Sequence, residues 1–395
     1  MTRPILRSRA LIAALLVGAA PMGASAQCGG DFSTFVAALG NEAVARGHEA
    51  ATVQRFLSGV RQDDKVLAAD RKQGVFQMPF TDFARRLISQ NRIDTGRAKG
   101  AALSNVFDRI EAEYGVSRGV LLAFWAFETD YGSYQGDFNT LNALVTLAHD
   151  CRRPELFRPQ IFAALELFER GGFDPATTTG AWAGEIGMVQ MLPEDILENG
   201  VDGDGDGKVS LKTSAPDALL SGAKMLQSLG WREGEPWLQE VTLPAGIDLS
   251  KTGLETQMSG AEWRALGVEA KGGWDRPDLP VSILLPQGRG GPAFAAYPNF
   301  RVYFEWNQSF VYVLTAAYFA NRLEGGPVFD AGTPQPGLDG ERMKQLQAKL
   351  QARGHDVGKI DGILGAGTRA AVRKVQAELG LPVDGWPTAD LLARL

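Results

Sequence analysis

The stretch Ser117–Gly132, SRGVLLAFWAFETDYG, decides how the chain is read. Leu121, Leu122, Phe124, Trp125 and Phe127 fall on every side of a helix, so the segment is expected to be buried all round. Ser117 is placed to cap its start and Gly132 to end it. At the end of the apolar run stands one carboxylate, Glu128. Dry, aromatic surroundings favour a protonated carboxyl, and the negative end of the helix dipole acts in the same direction. A carboxyl kept protonated near neutral pH is a general acid. A helix-end Glu that faces water is the alternative this stretch leaves open. Asp130, two residues on, points away from Glu128 and makes no obvious second catalytic carboxylate. Tyr131 and Tyr134 lie just past the helix, where rings can form a platform for a sugar.

Around this segment lies a chain of 395 residues, 45% hydrophobic and 22% charged. That is the profile of a soluble globular protein with roughly two or three domains. Residues 1–26 read differently. Arg3, Arg7 and Arg9 precede the apolar run Ala10–Ala20, and Ala24-Ser25-Ala26 offers a small-residue cleavage site, so the segment is expected to be a secretory signal peptide. The run is too short to span a bilayer, and a soluble exported protein is expected. The net charge is −6 and becomes more negative once those three arginines leave. An acidic chain without a basic run is a poor partner for nucleic acid. The two cysteines, Cys28 and Cys151, read as one disulfide in an oxidising compartment, with two buried thiols as the alternative. Three histidines without a Cys/His cluster exclude a zinc site.

Four further constellations carry chemistry. GAWAGEIGMVQMLP, Gly180–Pro193, has three glycines and one polar group, Gln190, between apolar neighbours; a tight structural loop is its plain alternative. In DGDGDG, Asp202, Asp204 and Asp206 alternate with glycines, as the first, third and fifth ligands of a calcium loop do, and Lys208 would give a backbone carbonyl. Thr213 stands where such a loop ends in Glu, so Asp217 is the candidate for the closing carboxylate. Arg152 and Arg153 are able to clamp carboxylates or to be surface charges. FEWNQSFVY, Phe304–Tyr312, combines stacking and hydrogen-bonding groups in Trp306, Asn307 and Ser309.

Helical patterns cover Phe32–Leu57, Thr81–Ile88, Lys99–Tyr114, Leu141–Leu147, Pro159–Arg170 and Asn307–Arg322. Glu240–Asn299 reads weakly, with VSILLP at Val281–Pro286 as a candidate strand. Gly325–Gly337, GGPVFDAGTPQPG, reads as a Pro/Gly linker that leaves its two sides moving semi-independently. Beyond it, helices capped by Thr368 and Thr388 follow Asp-Gly turns and complete a three-helix module suited to binding.

ETDYG, GAWAGEIGMVQMLP, the acidic loop ending at Asp217, and WNQS occur in the order seen in the membrane-bound lytic murein transglycosylase B family, which the chain resembles. Leu338–Leu395 resembles a peptidoglycan-binding domain. Together the two resemblances cover nearly the whole mature chain. They imply a mainly α protein: an α+β lysozyme-like catalytic domain at 27–324 with an EF-hand-like calcium loop, the linker at 325–337, and the small three-helix module at 338–395. Carried over by position, Glu128 matches the single catalytic acid/base, Gln190 and Asn307 match cleft residues, and Arg152 and Arg153 match a pair near the peptide stem of the substrate. Tyr131 and Trp306 complete the expected substrate contacts, Trp306 standing at a Tyr position; Ala181 replaces a frequent Ser and Glu185 adds an acid. The implied enzyme is a periplasmic lytic transglycosylase acting on peptidoglycan strands, with no cofactor for chemistry, a structural Ca2+ and other cell-wall enzymes as a further class of partner. A hydrolytic muramidase using Glu185 or Asp130, and a non-catalytic wall-binding scaffold, are the alternatives.

Overall fold

The computed structural model describes residues 28–71 and 77–395; the signal peptide expected at 1–26 lies outside them. The first helices are α1 Phe32–Ala45, α2 Ala50–Leu57, α3 Asp64–Asp70, α4 Phe80–Leu87, α5 Gln90–Ala102, α6 Ser104–Tyr114 and α7 Arg118–Thr129. Strand β1 Phe138–Asn139 precedes α8 Thr140–His149 and α9 Pro154–Glu169, and β2 Thr179–Gly180 precedes α10 Pro193–Asn199 and α11 Ala215–Ser228. Then come β3 Leu238–Thr242, β4 Met258–Ser259, α12 Gly260–Ala265, β5 Glu269–Ala270, β6 Pro280–Leu284 and β7 Phe294–Ala296. Helices α13 Pro298–Trp306, α14 Phe310–Leu323, α15 Gly340–Ala352, α16 Ala366–Glu378 and α17 Ala389–Arg394 complete the chain.

The fold is helix-rich and is built around α7, whose residues Val120–Ala126 are all buried. Each large apolar side chain so buried contributes about 1.5–3 kcal/mol. The main partner is α14: the Phe127 and Phe319 rings stack with centroids 5.0 Å apart. Ser117 is at the N-cap position but does not cap with its own side chain. Its hydroxyl donates to Glu324 Oε1 at 2.5 Å, and the same oxygen accepts the Gly119 N–H at 3.0 Å. The cap is thus supplied from the end of α14, a pairing that local sequence cannot reveal. At the other end, Asp130, Tyr131 and Gly132 all have left-handed φ, at 49°, 59° and 84°. The helix stops abruptly there, which leaves Glu128 in its last turn.

A disulfide joins Cys28 to Cys151, with Gly29 N–H donating to the His149 carbonyl beside it. Glu240–Asn299, weakly read from sequence, holds a five-stranded antiparallel sheet in the order β4-β6-β7-β3-β5. Its own core includes Trp263, Val281, Ile283, Ala295 and Tyr297. The expected helix Asn307–Arg322 is α14, which starts three residues later because Asn307 is extended and ends α13, while the Ser309 side chain caps α14. In the C-terminal module, Thr388 caps α17 as expected. Thr368 does not cap α16: Gly365 takes that position, and Thr368 is buried inside the helix.

The Pro/Gly segment is not a free tether. Phe329 packs against Phe80 and Tyr318, Asp330 N–H donates to Glu240 Oε1, and Thr333 N–H donates to the Gly290 carbonyl. The module docks as well. Arg369 donates to the Pro286 carbonyl at 2.7 Å and lies over the Phe310 ring. Arg373 donates to the Leu249 carbonyl and to Thr252 Oγ1. Backbone carbonyls accept from both cations, and an aromatic face covers Arg369.

Candidate active site

Glu128 projects from the last turn of α7 into an aromatic shell. Trp306, at the end of α13, stacks on Phe124 with centroids 4.3 Å apart and donates its indole N–H to Glu128 Oε1 at 3.1 Å. Tyr312, in the first turn of α14, donates its hydroxyl to the same oxygen at 2.5 Å. Burial raises the Glu128 carboxyl to about 7, and the nearby Glu185 charge adds to the rise. The Tyr312 and Trp306 hydrogen bonds favour the carboxylate and hold the rise in check. Glu128 keeps a partly exposed edge, so a substrate can reach it. A carboxyl in this setting holds its proton to higher pH than an exposed glutamate does.

Tyr312 is the residue that sequence reading missed. It closes the FEWNQSFVY motif, yet its approach to Glu128 depends on the break at Asn307–Ser309, which reorients α14 relative to α13. The Gly-rich segment 180–191 folds back beside α7. Thr129 Oγ1 donates to the Met188 carbonyl at 2.6 Å, and Ala181 N–H donates to the Glu185 carbonyl at 2.9 Å. A Cβ at Gly180 would collide with that carbonyl, so the turn requires glycine there. Gln190 has φ 56°, and its side-chain N–H groups donate to the Gly187 and Gln135 carbonyls at 2.8 and 3.4 Å. It braces the loop.

A groove of about 760 Å³ opens next to this arrangement. Arg153, Trp182, Glu185, Trp306 and Asn307 line one side, and Gln347, Lys359 and Thr368 of the C-terminal module line the other. Asn307 Oδ1 accepts the Ser309 N–H at 2.9 Å. One expectation is corrected here, and two residues find partners within the chain. Tyr131 is no sugar platform: it is buried at 4% exposure, and its hydroxyl donates to the Arg92 carbonyl at 2.7 Å, because the left-handed turn rotates it inward. Tyr134, 70% exposed, stays outside. Arg152 and Arg153 do clamp a carboxylate, but it is the chain's own buried Asp70, a pairing that offsets the desolvation of that acid. Asp130 is exposed and ion-paired with Arg92.

Carboxylate oxygens of Asp202, Asp204 and Asp217 lie within 4.8 Å of one another. Asp217 is fully buried and accepts the Gly203 and Ser210 N–H groups. Asp206, expected as a ligand, is not in this group; its Oδ1 accepts the Lys208 N–H instead. Three hard oxygen donors that form no ion pair with Lys or Arg among the described residues fit a calcium ion.

The comparisons agree with this geometry. Residues 31–321 match the Transglycosylase SLT domain family, and residues 339–395 match a peptidoglycan binding domain. SltB3 from Pseudomonas aeruginosa, solved in complex with NAG-anhNAM-pentapeptide, superposes with a TM-score of 0.84 at 37% identity, covering 93% of this chain and 99% of that one. Membrane-bound lytic murein transglycosylase B of Escherichia coli K12 is 24% identical over 310 residues, 73% of this chain and 82% of the relative. The Escherichia coli lytic transglycosylase Slt35 in complex with calcium shares the fold, with a TM-score of 0.64 at 24% identity over 77% of this chain and 98% of that one. An acid set in an aromatic shell, the Gly-rich loop folded beside it and a family match across the domain that holds both lead to one conclusion: the chain belongs to the Transglycosylase SLT domain family.

Proposed function

We propose that the protein is a peptidoglycan lytic transglycosylase that cleaves the β-1,4 bond between N-acetylmuramic acid and N-acetylglucosamine without water. The observation that carries this reading is the single carboxyl of Glu128, held near pH 7 by burial and positioned by Tyr312 and Trp306. Ordinary glycosidases use two carboxyls, one as acid and one as nucleophile or base. Here Glu128 gives its proton to the glycosidic oxygen, and the bond from that oxygen to C1 breaks. The substrate's own N-acetyl oxygen stabilises the cationic carbon, as in substrate-assisted glycosidases. The Glu128 carboxylate then takes the proton of the sugar's 6-hydroxyl while that oxygen bonds to C1. An intramolecular nucleophile gains from proximity, and the 1,6-anhydro product leaves Glu128 protonated for the next turn. The ligand named for the SltB3 complex supports this choice.

Asn307, Trp306 and Gln190 are assigned to the substrate cleft, Gln190 through the loop it braces. Arg153, with its guanidinium over the Phe157 ring, faces the peptide stem while anchored on Asp70. Asp202, Asp204 and Asp217 would hold a structural Ca2+, which would supply loop stability and no chemistry; the calcium complex of Slt35 supports this assignment. The module at 338–395 binds peptidoglycan, the segment 27–324 is the catalytic domain, and export by residues 1–26 places the enzyme in the periplasm. Glu185 in the groove favours one second reading, a muramidase in which it activates water. Mass analysis of products from purified sacculi separates the two: anhydro ends support the transglycosylase, and reducing ends heavier by one water overturn it.

A further inference from the structure

The two Asp-Gly turns of the C-terminal module fold into the same box. In the first, Gln347 of α15 accepts the Gly362 N–H on Oε1 at 2.9 Å, and its Nε2 donates to Asp361 Oδ1 and the Ile363 carbonyl at 3.3 and 3.0 Å. In the second, Gln376 of α16 accepts the Gly385 N–H on Oε1 at 2.8 Å, and its Nε2 donates to Asp384 Oδ1 and the Trp386 carbonyl at 2.8 and 3.3 Å. In both, the Asp Oδ1 also accepts the N–H two residues on, from Ile363 at 2.9 Å and from Trp386 at 3.0 Å. Gly362 and Gly385 share a left-handed φ, 80° and 71°, and both glutamines are buried. Each box thus engages one Asp oxygen within its own turn.

The second box shows what the other oxygen takes. Asp384 Oδ2 accepts the backbone N–H of Arg289, in the catalytic domain, at 3.1 Å. The approach is close: a Cβ on Gly288 would stand 2.7 Å from Trp386 Cβ and 2.8 Å from Asp384 Oδ2. The box therefore grips an amide N–H whose neighbouring backbone is slim enough to press on the residue two past the Asp. The first box carries the same groups to the groove beside Glu128. Asp361, Ile363 and Thr368 line that groove together with Trp182, Trp306 and Asn307 of the catalytic domain, and Asp361 is half-buried. Gln77 of the catalytic domain donates to the Asp361 backbone carbonyl at 3.0 Å, and among the described residues no hydrogen bond reaches Asp361 Oδ2.

We propose that the first box is a substrate-binding site of the groove: Asp361 Oδ2 accepts an amide N–H of the peptidoglycan strand, as Asp384 Oδ2 accepts that of Arg289. Ile363 takes the place of Trp386 as the apolar shelf beside it. This rests on the reading of the groove as the peptidoglycan cleft. The ligand chemistry is an uncharged secondary amide, because a carboxylate strengthens a bond from an N–H and repels an anion. Such a strand offers that amide from two sources, the acetamido groups of its sugars and its peptide stem. The duplicated turn so divides two tasks: the second copy fixes the module to the catalytic domain, and the first completes the cleft.

The test is calorimetric binding of two soluble probes, a GlcNAc–MurNAc tetrasaccharide with peptide stems and the same tetrasaccharide without them. The proteins are Glu128→Gln, chosen to prevent cleavage, and the same chain with Asp361→Asn or Asp384→Asn added. Asn at 361 keeps Oδ1 for Gln347 and for the Ile363 N–H, and it sets an NH2 group where Oδ2 stood, so that donor faces donor. Asp361→Asn is expected to raise Kd about tenfold at an unchanged melting temperature. A loss with both probes supports the site and assigns the amide to the sugars; a loss confined to the stem-bearing probe supports it and assigns the amide to the stem. Unchanged affinity for both overturns the proposal. So does an equal loss in Asp384→Asn, which would mean that binding reads the docking of the module and not a contact at Asp361. If Asp361→Asn does not fold, Ile363→Ala decides in its place, a weaker Kd supporting the site and an unchanged one overturning it. A Glu128→Gln protein that binds neither probe refutes the peptidoglycan reading and this site with it, whereas one that binds both, with Asp361→Asn indistinguishable, refutes only this inference.

Discussion

At the scale of single residues, the burial of Glu128 links activity to stability. Its carboxyl is raised from 4.5 to about 7 in the folded protein, so the native state binds more protons than the unfolded chain between those two values. Stability contributed by this group is therefore present below about pH 4.5 and is lost as pH rises through about 7. Glu128→Gln is expected to abolish turnover, by at least about 10²-fold. It should also raise the melting temperature at pH 8 while leaving it nearly unchanged at pH 4, a gain on the order of 2–3 kcal/mol at most. A variant that is inactive yet no more stable at pH 8 than the wild type would refute the buried carboxyl. Tyr312→Phe removes a donor that favours the charged form, so the alkaline limb of the pH profile should move upward. Of these residues, Glu128 was legible because an all-round apolar helix ending in one carboxylate is a local pattern. Tyr131 was misread because adjacency in a motif says nothing of the side to which a left-handed turn directs a ring, and the partner of the arginine pair was hidden because it is a buried Asp70 more than eighty positions upstream.

Among the elements, the acidic loop and the sheet show how far pattern reaches. The loop was read from its alternating aspartates, but only folding brings Asp217 against Asp202 and Asp204 and leaves Asp206 outside. Calcium that binds the native state alone stabilises by mass action, about 2.7 kcal/mol at a hundredfold excess over Kd. Chelation should therefore lower the melting temperature, added calcium should restore it, and Asp217→Asn should abolish the difference. A wild-type protein indifferent to calcium would refute the site. The five-stranded sheet was largely illegible: its strands run from two to five residues, and β6 is buried at four consecutive positions, so no alternation marks it. Helix α14 was legible from its apolar spacing, whereas α13 just before it went unread.

For the whole molecule, the docked C-terminal module changes what truncation should do. From sequence, a cut after Glu324 is expected to weaken binding to sacculi and to leave cleavage of short soluble fragments unchanged. Gln347, Lys359 and Thr368 line the groove, and Arg369 covers Phe310, the first residue of α14. The cut is now expected to lower kcat/KM on soluble fragments by about tenfold, about 1.4 kcal/mol, with part of the loss coming from a loosened α14. An unchanged rate would mean that the module's wall of the groove touches nothing that reacts. The two donors to Glu128 have a different consequence. They lie 178 and 184 positions downstream of it, so a chain that ends before Trp306 holds the acid without the shell that tunes it. During synthesis the acid lacks its shell until nearly the whole catalytic domain has emerged and closed, and a proteolytic clip that releases α13 and α14 removes both donors from Glu128. The long-range contact that makes the site slow to assemble also keeps an unfinished copy from cutting the wall.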